Sequence, residues 1–490
     1  MSWKAQTLGE VLHQKDPDAP ALVTLTGRFT YRDLHSRAKA VAGAMQAMGL
    51  GHGDHIGILM GNDEKWLALF YGAALIGAVT VPVNTRFKAA EIDFCLKQAD
   101  CKALFYVERF LNIDFRTMVR EVGFANAIDA SAGLPAGKFN PVEVKPDDVL
   151  LIQFTSGTTA YPKGAMLTHD NMLRDAWAAG TRVGIRADDR YFNCRPFFHV
   201  AGSTLSALMA LVSGACLVTL PTFEAGAALE LMERERCTLV SGNDTIFQML
   251  MGHEDFPKRK LSLRGGWAAA GPQTMRRIID ALGAKAICAA YGLSEASPNV
   301  VMSDWRDAED LRVHGLALPH PGVEIRIENG EIQVRGWNVM KGYYNNPEAN
   351  AKAFAADGWL RTGDLGELTP DGRLRMVGRL KDVFRVGGEN VAPAEVEEVL
   401  LAHPAVETAQ VIGVPDTRLG EVPCAYVTLK SGAAATESEL VAWTKDKCAN
   451  FRVPRYLRIV EDFESIGMTA SGKVQKTRLR EHAVREFKLG

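Results

Sequence analysis

The spacing of apolar positions changes along the chain, and the changes mark out its elements. Between residues 31 and 48 apolar side chains fall at Leu34, Ala38, Val41, Ala42 and Met45, one face of a helix, and Gly49 ends the run. Residues 54–60 form a short apolar run with strand character. Then come a helical pattern at 66–76, a strand at 79–83, a helix at 90–98 and a strand at 103–107. The rhythm returns with a strand at 215–220, a helix at 225–235, and short strands at 237–240, 265–270 and 286–290. Strands alternating with helices predict a doubly wound, mainly parallel α/β sheet. Such sheets take ligands beyond the carboxyl ends of their strands. From about Val323 the texture shortens to strands at 324–327 and 331–334 around Asn329-Gly330, a β-rich pattern. After a charged stretch, 378–382, come a helix at 394–402, strands at 408–414 and 425–429, and a helix at 437–448. The expected architecture is a large α/β domain with a β-rich subdomain over 1–380, and a small α+β domain over 381–490.

Length and composition agree. A chain of 490 residues exceeds what one core usually serves. Net charge is −2, which excludes a bulk attraction to nucleic acid or to an anionic membrane. The longest apolar stretch, 68–83, is interrupted by Gly72, Gly77 and Pro82, so it reads as helix plus strand and not as a membrane span. Met1–Gln6 lacks the apolar core of a secretory signal, and the cytoplasm is the default setting. The 8 cysteines include no C-x-x-C pair and read as reduced core residues, not a zinc site or a disulfide frame.

The most telling polar stretch follows the strand-like run 149–154. Thr155, Ser156, Gly157, Thr158 and Thr159 precede Lys163-Gly164. Hydroxyls and backbone N–H groups bind phosphate oxygens, glycine lets the backbone approach, and lysine adds charge. The pattern differs from the G-x-x-x-x-G-K-S/T loop of kinase-type nucleotide sites. The plain alternative is an ordinary Ser/Thr/Gly turn.

Four further stretches are weaker taken singly. Arg195–Gly202 contains His199, and a lone histidine after a strand is more often a satisfied core residue. Tyr291-Gly292-Leu293-Ser294-Glu295 sets a ring, a hydroxyl and a carboxylate on one turn. The ring can stack on adenine and the carboxylate can hold Mg²⁺ beside phosphate. The alternative there is a helix start capped by Ser294. Trp359–Asp364 ends in an aspartate that either bonds its own turn or grips ribose hydroxyls. Thr469–Val474 is an exposed turn carrying Lys473, and most such lysines are merely solvated.

In this order and at these separations the five stretches resemble the adenylate-forming superfamily: acyl- and aryl-CoA synthetases, peptide-synthetase adenylation domains and firefly luciferase. The resemblance extends from Thr30-Tyr31 to Lys473, with support from Gly336, Gly342-Tyr343 and the 387–397 region. It implies a two-step ligase. A carboxylate attacks the α-phosphorus of ATP with Mg²⁺, giving acyl-AMP and pyrophosphate, and the thiol of coenzyme A then displaces AMP. No enzyme nucleophile is needed, so catalysis is positioning and electrostatics.

The roles implied by the resemblance are as follows. Thr155, Ser156, Gly157, Thr158, Thr159 and Lys163 hold the β- and γ-phosphates. Ala269, Ala270, Gly271 and Tyr291 border adenine, Ser294 lies near the α-phosphate, and Glu295 binds the metal. Asp364 and Arg379 hold the ribose. The catalytic set is Lys473, His199 and Thr158. Lys473 bridges carboxylate and α-phosphate, and His199 closes the acyl site. Lys381 is the hinge of a mobile small domain that swings after adenylation, withdrawing Lys473 and bringing Gly387 and Gly388 to the pantetheine tunnel.

Two positions depart from the usual pattern. Ala160 replaces a glycine of the phosphate loop. Asn243-Asp244 stand where relatives commonly have an apolar residue and proline; Asp244 is expected to cap a helix over 245–251, and the alternative is a polar contact to the substrate.

The acid is less well specified. The candidate pocket is Phe198, His199, Asn243, Trp267, Ala269, Leu293, Ala296, Ser297 and Pro298. It has few charged side chains, which disfavours a dicarboxylate or an amino acid and favours an aromatic, cyclic or medium-chain monocarboxylate. Two other functions stay open: a stand-alone ligase that loads a carrier protein, and a non-catalytic nucleotide-binding module. The latter predicts loss of Lys473, Glu295 or Asp364, all of which are present. The expected partners are the small-molecule acid, ATP and CoA, with no nucleic acid and no membrane span. A homodimer is left open.

Overall fold

The structure is a computed structural model and describes residues 3–155, 162–430, 432–468 and 474–489. The alternating pattern resolves into two sheets. One has six strands, in the order Lys163–Thr168, Val149–Thr155, Val79–Pro82, His55–Leu59, Ala103–Tyr106 and Ala127–Asp129. It is parallel except for the hairpin made by its first two strands. The other has eight strands, in the order Asn299–Met302, Ala286–Gly292, Gly265–Ala269, Leu239–Asn243, Arg190–Asn193, Cys216–Thr219, Pro20–Val23 and Arg28–Thr30. Its centre is parallel and its two edges are antiparallel.

The main core joins these sheets through helices Tyr31–Ala47, Glu64–Leu75 and His169–Val183. It contains the fully buried Trp66, Phe70 and Tyr71. Local chemistry sets where the helices start. Thr30 and Asp33 form a reciprocal cap, Asp63 caps the second helix, and Thr168 with Asn171 caps the third. Each such cap contributes roughly 1 kcal/mol.

The β-rich subdomain is a four-stranded antiparallel sheet: Val323–Glu328, Glu331–Gly336, Leu360–Leu368 and Leu374–Arg379. Its first turn is the Asn329-Gly330 pair, with φ of 52° and 82°. The small domain has its own five-stranded sheet, built on the long pair Val406–Asp416 and Gly420–Leu429. Helices Pro393–Leu401, Glu437–Lys445 and Lys476–Glu486 complete it around separate apolar clusters. It meets the large domain at Glu407, whose carboxylate is 3.1 Å from Arg277 Nη1 and whose carbonyl accepts from Gln248 at 3.4 Å.

Residues 133–145 have no regular structure, yet they are fastened. They cross helix Tyr31–Ala47 at a contact between Gly43 and Gly137. A Cβ on Gly43 would lie 2.3 Å from the Gly137 carbonyl oxygen, and a Cβ on Gly137 would lie 2.0 Å from that of Gly43. Only glycine fits at such a crossing. Three residues along, the Gln46 side chain donates to the Asn140 carbonyl at 2.7 Å and accepts its N–H at 2.8 Å.

Two local expectations are corrected. Asn243, not Asp244, caps helix Asp244–Gly252, accepting from the Ile246 N–H. Asp244 instead accepts from the Gly271 N–H at 3.2 Å, because the neighbouring strand Gly265–Ala269 ends beside it. Ser294 caps nothing: it opens a single 3-10 turn, Ser294–Ala296, preceded by Leu293. All 8 cysteines are free, six of them buried. Among the described residues no cluster of His, Cys, Asp and Glu could hold a metal, and no helix is long and apolar enough to cross a membrane.

Candidate active site

Strands Leu239–Asn243, Gly265–Ala269 and Ala286–Gly292 run parallel and side by side, so their carboxyl ends lie together. Asn243, Ala269–Gly271 and Tyr291 occur there. Ala269 is exposed although the strand before it is buried, as expected of a residue facing a ligand. The Tyr291 hydroxyl donates to Asp364 Oδ2 at 2.9 Å. Asp364 pairs across the β-rich sheet with Arg379, Oδ1 to Nε 3.3 Å. Asp364 lies in strand Leu360–Leu368, not in a turn, and is buried. Burial and the Asp364 charge push the Tyr291 hydroxyl well above the usual phenol range, so it stays a proton donor.

The hairpin brings Thr155 and Lys163 opposite each other, and the Thr155 hydroxyl donates to the Lys163 carbonyl at 3.5 Å. Lys163 Nζ stands 5.2 Å from the Tyr343 ring centroid. The Tyr343 hydroxyl in turn donates to Glu295 Oε1 at 2.8 Å. The backbone closes the arrangement: Met340 donates to the Glu295 carbonyl, and residues 341–344 bond with Gly164 and Met166. Contacts therefore run from Lys163 through Tyr343 to Glu295, along the turn to Tyr291, and on to Asp364 and Arg379.

Behind this turn lies a buried polar network. Asn299 donates to the Tyr291 carbonyl at 3.3 Å, and its Oδ1 is 2.6 Å from His320 Nε2. The Asn299 N–H goes to Asp175, and Asn338 donates to the Asn299 carbonyl. Burial, with Arg182 nearby, pushes the His320 imidazole down to about 3. The neutral ring donates from Nε2 to the amide oxygen.

The second half of the candidate site centres on His199. Its Nδ1 accepts the Ala201 N–H at 3.1 Å, which leaves Nε2 as the protonated nitrogen of the neutral ring. Burial, reinforced by the Arg195 cation, pushes this imidazole down to about 4. The following residues, Ser203–Leu208, form a π-helical turn, a feature frequent at functional sites and not expected from the sequence. Gln153 joins the two halves by donating to the Phe198 carbonyl at 3.2 Å. Phe198, Asn243 and Leu293 are half-buried, whereas Trp267, Ala296, Ser297 and Pro298 are buried. Trp267 donates to the Tyr191 hydroxyl at 2.8 Å.

Ser156, Gly157, Thr158, Thr159, Ala160 and Lys473 lie outside the described residues. Gly387 and Gly388, with φ of 58° and 100°, form an exposed two-residue turn within the small domain. Lys381 is exposed, in the turn Leu380–Asp382. Sequence reasoning passed over Gln153, a lone amide in an apolar strand, and the Asn299–His320 network. It quoted Arg195 but left it out of the pocket.

Models of two families match the chain: "AMP-binding enzyme" over residues 10–344 and "AMP-binding enzyme C-terminal domain" over residues 395–473. A CoA ligase of Mycobacterium tuberculosis, named for a methyl-dioxo-octahydro-indenyl propanoyl group, is 37% identical over 491 residues, 95% of this chain and 96% of its own. A mitochondrial medium-chain acyl-CoA ligase of Mus musculus is 32% identical over 546 residues, 99% of this chain and 88% of its own. Among solved structures, ATP-bound MatB from Rhodopseudomonas palustris superposes with a TM-score of 0.87 at 28% identity, covering 97% of this chain and 98% of that one. The fold and site thus define an adenylate-forming ligase. The chain belongs to the AMP-binding enzyme family, in its acyl-CoA synthetase branch, and is an acid–thiol ligase that uses ATP and CoA.

Proposed function

We propose that this ligase activates a cyclic, aromatic or medium-chain monocarboxylic acid as acyl-AMP and passes the acyl group to CoA, with the residue roles set out below. The observation that carries the reading is the unbroken line of contacts from Lys163 through Tyr343, Glu295 and Tyr291 to Asp364 and Arg379. It is long enough to follow a nucleotide from its polyphosphate to its ribose. The names of the two relatives support the choice of acid.

In this reading Asp364 and Arg379 hold the ribose, Tyr291 stacks on adenine beside Ala269–Gly271, and Lys163 with the loop 155–159 holds the outer phosphates. Glu295 would hold Mg²⁺. A single carboxylate suits an ion that arrives bound to substrate phosphates and keeps its other ligands there, and the ion would neutralise charge on the reacting phosphate. Neutral His199 presents its Nε2–H and places no second positive charge beside Arg195. Lys473 bridges the acid and the α-phosphate, and its withdrawal on rotation about Lys381 opens the way for the thiol. Gly387 and Gly388, at the tip of an exposed turn, then line the pantetheine path. The boundary near Lys381 separates the two moving parts, and the cytoplasm supplies both ATP and CoA.

The test is pyrophosphate release across a panel of carboxylic acids with ATP, Mg²⁺ and CoA. Cyclic, aromatic and medium-chain acids should give acid-dependent release and a CoA thioester. Release without thioester, restored by an acyl carrier protein, would reject CoA as acceptor. Lys473→Ala should abolish acid-dependent release yet retain thioester formation from supplied acyl-adenylate. Equal loss of both steps would refute its role in the first alone.

A further inference from the structure

One half-buried cation takes no part in these roles. Arg195 follows strand Arg190–Asn193 by two residues, and its backbone is fixed on both sides. Its carbonyl accepts from Asn62 and from Asn193, each at 2.8 Å, and its N–H donates to Asn193 Oδ1 at 2.9 Å. The guanidinium carbon stands 5.8 Å from the centre of the Trp267 ring. Its Nε is buried without an acceptor, and among the described residues no carboxylate forms an ion pair with it. The remaining residues, 1–2, 156–161, 431, 469–473 and 490, include no Asp or Glu. Burial lowers the affinity of this guanidinium for its proton.

Several partly buried arginines of the large domain have oxygen partners, whereas Arg174, over the Trp337 ring, resembles Arg195 in having no ion pair among the described residues. Arg190 shares Glu235 with the exposed Arg28, Arg264 pairs with Asp189, and Arg373 pairs with Asp307. Arg312 donates to three backbone carbonyls. A ring face offsets only part of the cost of burying a cation, and a hydrogen-bonded oxygen offsets more.

The position of Arg195 indicates which ligand could bring that oxygen. Its strand lies three places from the strand carrying Tyr291, roughly 14 Å across the sheet at the usual strand spacing. The guanidinium leans back over Trp267, beside His199. It therefore stands within an acyl chain's length of the nucleotide residues and not among them.

We propose that Arg195 is a specificity-determining residue of the acyl site. Its guanidinium takes an oxygen acceptor on the acyl tail, a keto or hydroxyl oxygen, so that the enzyme selects oxygenated monocarboxylic acids over all-hydrocarbon acids of the same shape. This rests on the ligase reading above and deepens it by naming what the tail carries.

The test compares kcat/KM for decanoate, the matching terminal keto acid, the terminal hydroxy acid and decanedioate. The corresponding set on a cyclohexane-propanoate skeleton is run alongside, with wild type, Arg195→Met and Arg195→Lys. Wild type should favour the keto or the hydroxy acid over its hydrocarbon parent. Arg195→Met should lose about 10- to 100-fold on that acid, mainly through KM, and change less than about 3-fold on the parent. Arg195→Lys should recover part of the loss. The arms separate a neutral oxygen from a second carboxylate. The KM for ATP should not move, and the melting temperature of Arg195→Met should equal or exceed that of wild type. Equal losses on all acids, a raised KM for ATP, or a melting temperature several degrees lower would each overturn the assignment and leave the ligase reading standing. Failure of wild type to activate any acid would instead overturn the ligase reading.

Discussion

The two ends of the candidate site are built on opposite plans. At the nucleotide end Tyr291, Asp364 and Arg379 satisfy one another, and Glu295 is held by Tyr343. At the proposed acyl end the Arg195 Nε and the Gln153 Oε1 are buried without partners, whereas the orphaned atoms on the other side, Asp175 Oδ1, His320 Nδ1 and Asn338 Oδ1, lie in the network behind the turn and not among the groups proposed to meet the nucleotide. The nucleotide is the same in every turnover, so its contacts can be assembled in advance and reorganise little when it binds. The acid is what distinguishes one such ligase from another. An end left incomplete is completed only by the right acid, which converts the cost of an unpaired group into discrimination against wrong ones.

The contrast is broken most readily at Asp364. Asp364→Ala removes the acceptor of Tyr291 and strands Arg379, two charge-assisted contacts of roughly 1.5–3 kcal/mol each. The expected loss in kcat/KM for ATP is on the order of 100-fold or more, read by pyrophosphate release at saturating acid. A change confined to the KM of the acid would show that the preassembled end does not serve the nucleotide. A smaller effect is expected at Glu295. Glu295→Gln keeps a partner for Tyr343 but loses the charge, so half-saturation by Mg²⁺ should rise by about 10-fold, while Tyr343→Phe should raise it only a few-fold. Equal shifts in the two variants would mean that the carboxylate is structural and does not meet the metal.

A further effect, on stability and not on turnover, concerns the support behind the nucleotide end. His320 has a folded pKa of about 3, below the ordinary histidine value of 6.5. The unfolded chain therefore binds a proton that the folded chain refuses. The stability concerned is fully present above pH 6.5 and is lost as pH falls towards 3, by about 1.4 kcal/mol for each pH unit between. His320→Gln can still donate to Asn299 and removes this loss. Its unfolding midpoint in urea should fall less steeply than that of wild type between pH 6.5 and pH 4. Parallel slopes would show that His320 is not buried neutral.

Much of this was legible in residue order because it depends on local pattern. The helix that begins at Tyr31 and the two-residue turn at Asn329-Gly330 stand where the pattern put them, whereas the caps Asp63 and Thr168 and the turn at Gly387-Gly388 were not read from it. Asp364 and Arg379 were linked only through the family resemblance; their pairing comes from adjacent strands in one antiparallel sheet that the pattern did not predict. The features that escaped depend on distant residues. Asn299 collects partners from Asp175, His320 and Asn338, which no periodicity connects. The isolation of Arg195 is a property of its neighbours: the motif displays the charge, but only packing reveals that no carboxylate among the described residues pairs with it. Asp244 looked like a cap by composition, and was displaced from that role because Asn243, one residue earlier, already sits where the helix begins.

The crossing of Gly43 and Gly137 has a consequence for how such a chain can diverge. Residues 133–145 look like spare length, the kind of segment in which insertions and deletions accumulate. They are instead a strap laid across the first long helix and buckled at Gln46 and Asn140, leading straight into the strand that carries Thr155. Length can be added freely ahead of the buckle or behind it, but not within it. A change there would shift the start of that strand and carry the displacement along it towards Thr155. In a comparison of related sequences this stretch should therefore look variable everywhere except at two glycines nearly a hundred positions apart, which change together or not at all.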